Sequence, residues 1–277
     1  MDRSMKTSLA TLVAAGVISA ATYGQAANET VLTDAQKRQI AAVLTAPAAS
    51  PGTAVGVPSG FGAGQGQVFA SIGGTTNDGD LDGSANVGLG FGNASEFVAL
   101  ELNANVFSLT DNGPGSGVGE QGSLSAKLTR QLTPTSSLAF GAENLLVWGD
   151  ETETVDPSVY LAYSKVHALS DDPLKPLLLT YTLGVGNERF GEFENGVRTN
   201  DVGIFGAVGL AVTRRTGFIL DYNGNFASAG VSFVPIVDQP LTVSLSVNNF
   251  TSVDAADGGT LSGDPEFGVS VGYSWQF

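Results

Sequence analysis

From Gln67 onward the chain alternates, with apolar residues at every second position and small or polar residues between them. Successive residues of a strand point to opposite faces, so this period of two predicts strands with one apolar face each. Val98, Leu100, Leu102, Ala104 and Val106 interleave with Glu101, Asn103 and Asn105. Leu124, Ala126 and Leu128 stand against Ser125, Lys127 and Thr129, and Leu177, Leu179, Tyr181, Leu183 and Val185 against Thr180, Thr182 and Gly184. About 12 strands follow, at 68–72, 85–91, 97–107, 123–132, 138–148, 158–169, 177–186, 202–212, 216–223, 227–234, 241–247 and 267–277. The sixth is ambiguous, because both of its faces carry apolar residues.

The final stretch, FGVSVGYSWQF, is the most explicit. Phe267, Val269, Val271, Tyr273, Trp275 and Phe277 fall on one face; Gly268, Ser270, Gly272, Ser274 and Gln276 fall on the other. A strand of a soluble sandwich would carry charges on its polar face. Here that face is small, and the apolar face has aromatics at both ends, as a strand crossing a bilayer requires. This strand, ending in Phe277, resembles the C-terminal strand of bacterial outer-membrane β-barrel proteins. The resemblance covers one strand specifically and the rest in pattern. It implies that the strand closes the barrel against the first and is read by the barrel-insertion machinery.

Connection lengths divide in the same sense. Those at 74–83, 110–121, 149–157, 187–201 and 251–266 are long, and those at 92–95, 133–136, 214–215 and 235–240 are short. Long loops on one side and tight turns on the other are the habit of such barrels. The tight Asn223-Gly224 hairpin breaks the rhythm, so the count ranges from ten to fourteen. The expected fold is all-β, a transmembrane antiparallel up-and-down β-barrel over residues 67–277, with both termini on the periplasmic side of an outer membrane.

Before the barrel come two further segments. Arg3 and Lys6 precede an apolar run from Ser8 to Ala21, and Gly24-Gln25-Ala26 offers a small-x-small cleavage site, which predicts a signal peptide over residues 1–26. A run of about 14 apolar residues is too short for a spanning helix. In residues 27–66, Thr33-Asp34-Ala35-Gln36 reads as a capping box, with Ile40, Val43 and Leu44 at helical spacing. The rest, from Ala46 to Gly66, is rich in Ala, Pro and Gly and reads as a linker. The short helix is expected outside or inside the barrel, as a periplasmic arm or a plug.

Charge sharpens the picture. The net charge is −15 and no Cys is present, which excludes disulfides, thiolate metal sites and nucleic acid as a partner. Most acidic residues fall in the long loops, so one rim is acidic. On the inward face, Glu101, Asn103, Asn105, Lys127, Glu143, Asp221 and Asn223 are the expected lumen residues. In a narrow barrel Lys127 would pair with Glu101 or Glu143; in a wider one these groups would line water.

Other chemistry is thin. Asp78, Asp80 and Asp82 in the run NDGDLDG match the first half of a calcium loop, but the twelfth position falls on Leu89, which excludes an EF-hand. A weak rim contact with Ca²⁺ or Mg²⁺ is the most this motif allows, and no other cofactor is expected. His167 is the one histidine and lacks a Ser two residues on, so an enzyme is not expected. The leading functional expectation is a porin-like channel for passive diffusion of small hydrophilic solutes, its acidic mouth favouring cations. The alternative is a closed barrel with a structural or surface-interaction role, in contact with outer-membrane lipid and lipopolysaccharide.

Overall fold

The computed structural model describes residues 32–34, 36–38, 40, 51–77, 80–107, 109, 118–149, 156–170, 172, 177–191, 193–194, 197–198, 201–236, 239–251, 253–254, 260–261 and 265–277. The signal-peptide segment, Asp78 and much of the acidic loops lie outside these residues.

The alternating segments form the strands β1 (Gln67–Asn77), β2 (Asp80–Gly92), β3 (Ala99–Val106), β4 (Gly122–Thr133), β5 (Ser136–Trp148) and β6 (Ser158–Ala168). They continue as β7 (Leu178–Gly186), β8 (Gly203–Ala211), β9 (Thr216–Tyr222), β10 (Ala227–Phe233), β11 (Leu241–Asn248) and β12 (Glu266–Gln276). Each pairs antiparallel with its neighbours in sequence, and β12 returns to β1 with Gln67 opposite Gln276 and Val68 opposite Trp275, closing a 12-stranded barrel. Two-stranded tips, Phe193–Glu194 with Val197–Arg198 and Val253–Asp254 with Thr260–Leu261, extend two of the long loops.

The outer face is apolar and uncovered. Phe140 is 52% exposed, Ile204 56% and Phe267 64%. A belt of this extent is unfavourable in water and favourable against hydrocarbon, and it encircles the barrel. The inner face is mostly polar or small, with large residues such as Phe205 and Ile219 buried within it, and β6 shows why its sequence was ambiguous. Val159 and Leu161 point outward and are exposed, whereas Tyr160, Ala162 and Val166 point inward and are buried. Its inner face is apolar because something inside the barrel packs on it.

That occupant is the predicted linker. Residues 51–66 run inside the barrel, entering beside β9 and β10, turning at Gly56 and leaving along β4, β3 and β2. Beneath them, helical backbone at residues 34, 36–38 and 40 covers the short-turn end. The capping box forms as read: Thr33 N–H donates to Gln36 Oε1 at 2.7 Å, and Gln36 N–H donates to Thr33 Oγ1 at 3.2 Å. Gln36 Nε2 donates to the Ser170 carbonyl at 2.5 Å, and Ile40 packs with Phe61, Val166 and Leu178. Packing on the barrel is what stabilises so short a helix.

The β1–β2 hairpin also runs further than the alternation suggested, pairing Thr75 with Asp82 and Asn77 with Asp80. Its upper part lacks alternating apolar residues because it rises past the apolar belt.

Candidate functional site

An irregular segment inside a barrel cannot leave its amides unpaired, since each buried unpaired group costs as much as a lost hydrogen bond. The lumen wall supplies the acceptors. Asp221 Oδ2 accepts from Val55 N–H at 2.6 Å and from Gly56 N–H at 2.8 Å. Glu101 Oε2 accepts from Ala63 N–H at 2.7 Å, Ser164 Oγ from Gly60 N–H at 2.8 Å, and Ser232 Oγ from Gly52 N–H at 2.8 Å. At the exit, Gln65 and Gly66 donate to the carbonyls of Gly92 and Gly90. The segment contains no charged residue, so charge on the wall and neutrality in the segment are complementary.

Close approach depends on glycine on both sides. A Cβ on Gly60 would lie 2.5 Å from the Ser137 carbonyl oxygen and 2.6 Å from Ser164 N. A Cβ on Gly90 of the wall would lie 2.3 Å from the Gly64 carbonyl oxygen. Val57 completes the fit by packing among Tyr160, Ala162, Phe205 and Phe190.

Phe190 belongs to the 187–191 turn, which folds inward over β6 to β9. It is fully buried, stacks on Phe205 at 4.3 Å and meets Tyr160 edge-on at 6.1 Å. Its neighbour Arg189 points into the lumen. Arg189 Nη1 lies 2.7 Å from Glu143 Oε2, and Nη2 donates to the Gly56 carbonyl at the apex of the inner segment. Glu143 reaches Arg189 through a bulge: residues 143–145 of β5 oppose Ser125 alone, Asn144 has a φ of 57°, and its N–H donates to Ser125 Oγ.

The expected lumen residues can now be placed. Glu101 and Lys127 face each other across β3 and β4, with Lys127 Nζ 3.0 Å from Glu101 Oε1. Asn103 and Asn105 both accept at 2.6 Å from Asn86 Nδ2. Asp221 is buried against the inner segment. Asn223 shapes the β9–β10 hairpin, accepting from Asn225 and Phe226 N–H. Asp80 and Asp82 lie on extended, paired backbone of β2, and Asp78, the third residue of that motif, lies outside the described residues. Among the described residues no three His, Asp or Glu side chains converge. His167 is on the outer face, stacked on Tyr181 at 5.6 Å.

A cavity of about 530 Å³ remains at the long-loop end. It is lined by Ser84, Asn86, Glu101, Asn103, Asn105, Phe107, Lys127, Glu143, Asn144, Tyr160 and Arg189, with residues 55–58 as its floor. On β12, Ser270 points inward yet is exposed, and an added Cβ on Gly272 would meet nothing closer than 3.8 Å.

Sequence reasoning missed Arg189, Asn86, Ser164 and the path of residues 51–66. Arg189 sat in a long loop, where charge is the default. The apolar Val57 and Phe61 within a stretch that has no charge from Ala46 to Gly66 were the available signal.

No protein-family model and no curated protein matches the sequence. Among solved structures, the chain is similar to the KdgM porin at 10% identity and a TM-score of 0.44, over 75% of this chain and 99% of that one. It is similar to an outer membrane channel from Pseudomonas putida F1 at 12% identity and a TM-score of 0.41, over 82% of this chain and 99% of that one. The outer membrane channel DcaP of Acinetobacter baumannii matches at 10% identity and a TM-score of 0.35, over 76% of this chain and 96% of that one.

Proposed function

We propose that the chain is an outer-membrane, porin-like channel for small hydrophilic solutes, stoppered by residues 51–66, with both termini in the periplasm. The observation that carries this reading is how the inner segment is held. It adds no strand to the wall; between Gly52 and Ala63 the amides that pair with the wall rest on side-chain oxygens of Asp221, Glu101, Ser164 and Ser232, and only Gln65 and Gly66 at the exit reach wall carbonyls. Such contacts exchange for water one at a time, whereas a strand ladder would have to be torn. The exposed, inward-pointing Ser270 supports a route beside the segment along β12.

The lumen itself is not the source of a cation preference in this reading. Glu101 is paired with Lys127, Glu143 with Arg189, and Asp221 is turned to two amides. Any such preference comes from the acidic long loops and fades as salt screens them. No catalytic step is assigned, and lipid, lipopolysaccharide and the insertion machinery are the partners this role requires.

Current through planar bilayers tests the reading, comparing the chain over 27–277 with a chain that begins at Gln67. Current in the shorter chain and silence in the longer make residues 51–66 a stopper. Equal current in both reduces that segment to a bystander beside an open route. The paired lumen charges favour a second reading, a closed structural barrel, and silence from both folded chains selects it.

A further inference from the structure

We infer that the cavity at the long-loop end is a binding site for a small, uncharged, polyhydroxylated solute of the sugar class. The inference deepens the channel reading, but it concerns equilibrium binding and does not require current to flow.

Its charge is balanced within the wall. The two cations of the cavity each face a carboxylate, Lys127 on Glu101 at 3.0 Å and Arg189 on Glu143 at 2.7 Å. A charged ligand would have to break one of these pairs or enter without a counter-ion, and either is costly away from bulk water. A neutral ligand meets no such barrier.

Its polar groups are arranged for hydroxyls. Asn86 spends both amide hydrogens on Asn103 Oδ1 and Asn105 Oδ1, each at 2.6 Å. That fixes the orientation of all three carboxamides. The Nδ2 groups of Asn103 and Asn105, with two hydrogens each, are then left without a protein partner among the described residues, and so is Asn86 Oδ1. Donors and an acceptor side by side suit a ligand whose groups both give and take hydrogen bonds. Phe107 offers an apolar face at the rim. A cavity of about 530 Å³ admits about one to three sugar rings. The strands separate it from the outer face, so it takes a free solute and not the headgroup of a membrane-anchored lipid.

The floor links the site to the stopper. Val55, Gly56, Val57 and Pro58 close the cavity from below, and Arg189 touches Glu143 in the wall and Gly56 in the floor. A ligand resting there touches the apex of the inner segment.

Calorimetric titration of the folded full chain in detergent tests this with three probes of one shape: glucose, glucosamine and glucuronate. Glucose is expected to bind in the millimolar range, and each charged analogue roughly 10-fold more weakly. Asn103→Leu should remove glucose binding. Asn103→Asp, nearly the same shape, should shift preference to glucosamine, an outcome that misfolding cannot imitate. No heat from folded protein with glucose, tighter binding of either charged analogue by the wild-type chain, or an unchanged order of preference in Asn103→Asp would overturn the inference. Binding together with silence from both the longer and the shorter chain would leave it standing while the channel reading fell, and current in the shorter chain without glucose binding to the full chain would do the reverse.

Discussion

The Asp221 carboxylate holds Gly56 at 2.8 Å across 165 residues of sequence, and the same oxygen holds Val55 at 2.6 Å. A buried carboxylate is costly unless hydrogen-bonded, so this contact ties the wall and the inner segment to one another. Asp221→Ala removes the acceptor from both amides. Hydrogen bonds to a charged group contribute about 1.5–3 kcal/mol each, so the seated population of the segment should fall by at least about one order of magnitude. Open probability in planar bilayers should rise accordingly, and Asp221→Asn, which keeps an oxygen, should lie between. Identical records from all three chains would show that this contact does not govern seating.

Gly60 has no room for a side chain. Gly60→Val should lift the segment from β5 and β6 and expose Phe61, which is 3% exposed in the seated form. Chymotrypsin applied to the folded protein in detergent should then cut after Phe61 in the variant and spare the wild type. Equal resistance in both would mean that the wall yields instead.

Lys127→Met leaves Glu101 facing a cavity without its cation while still accepting from Ala63. Breaking a largely buried pair from one side costs about 3 kcal/mol or more, which should lower the unfolding midpoint in urea. Adding Glu101→Gln to Lys127→Met should restore most of the loss. If the double variant is as unstable as the single one, the cost lies in packing of the Lys127 stem and not in the charge.

Phe277 is 83% exposed at the end of the closing strand, yet its N–H donates to the Gly66 carbonyl at 3.0 Å. Phe277→Ser should reduce the heat-modifiable, membrane-assembled band in cells while leaving refolding in detergent nearly intact. Equal loss in both settings would assign Phe277 to stability and not to insertion.

The barrel was legible in the sequence because a bilayer imposes its apolar requirement at every second residue, and strands such as β3 and β12 have no other demand to meet. The first hairpin was read short because Gly73 to Asp82 extends beyond that requirement. The Glu101–Lys127 pair was legible as one of two pairings; its choice over Glu143 needed the cross-strand register of β3 and β4. The role of residues 51–66 was not legible from local pattern. An extended segment held largely by the wall's side chains has no period of its own, and its traces in the sequence are its uncharged run around Val57 and Phe61 and the doubly apolar β6. Arg189 was hidden for a similar reason, since its meaning depends on a turn that folds inward.

The closure of β1 on β12 fixes an order of events. Gln67 is synthesised well before Gln276, and its outer edge has no partner until that strand is made. Residues 51–66 precede β1, so they are present before any wall exists to receive them. The barrel is therefore wrapped around its own leader, or the leader is drawn in through the short-turn mouth after closure. Biogenesis, and not only permeation, has to solve the problem of a filled interior.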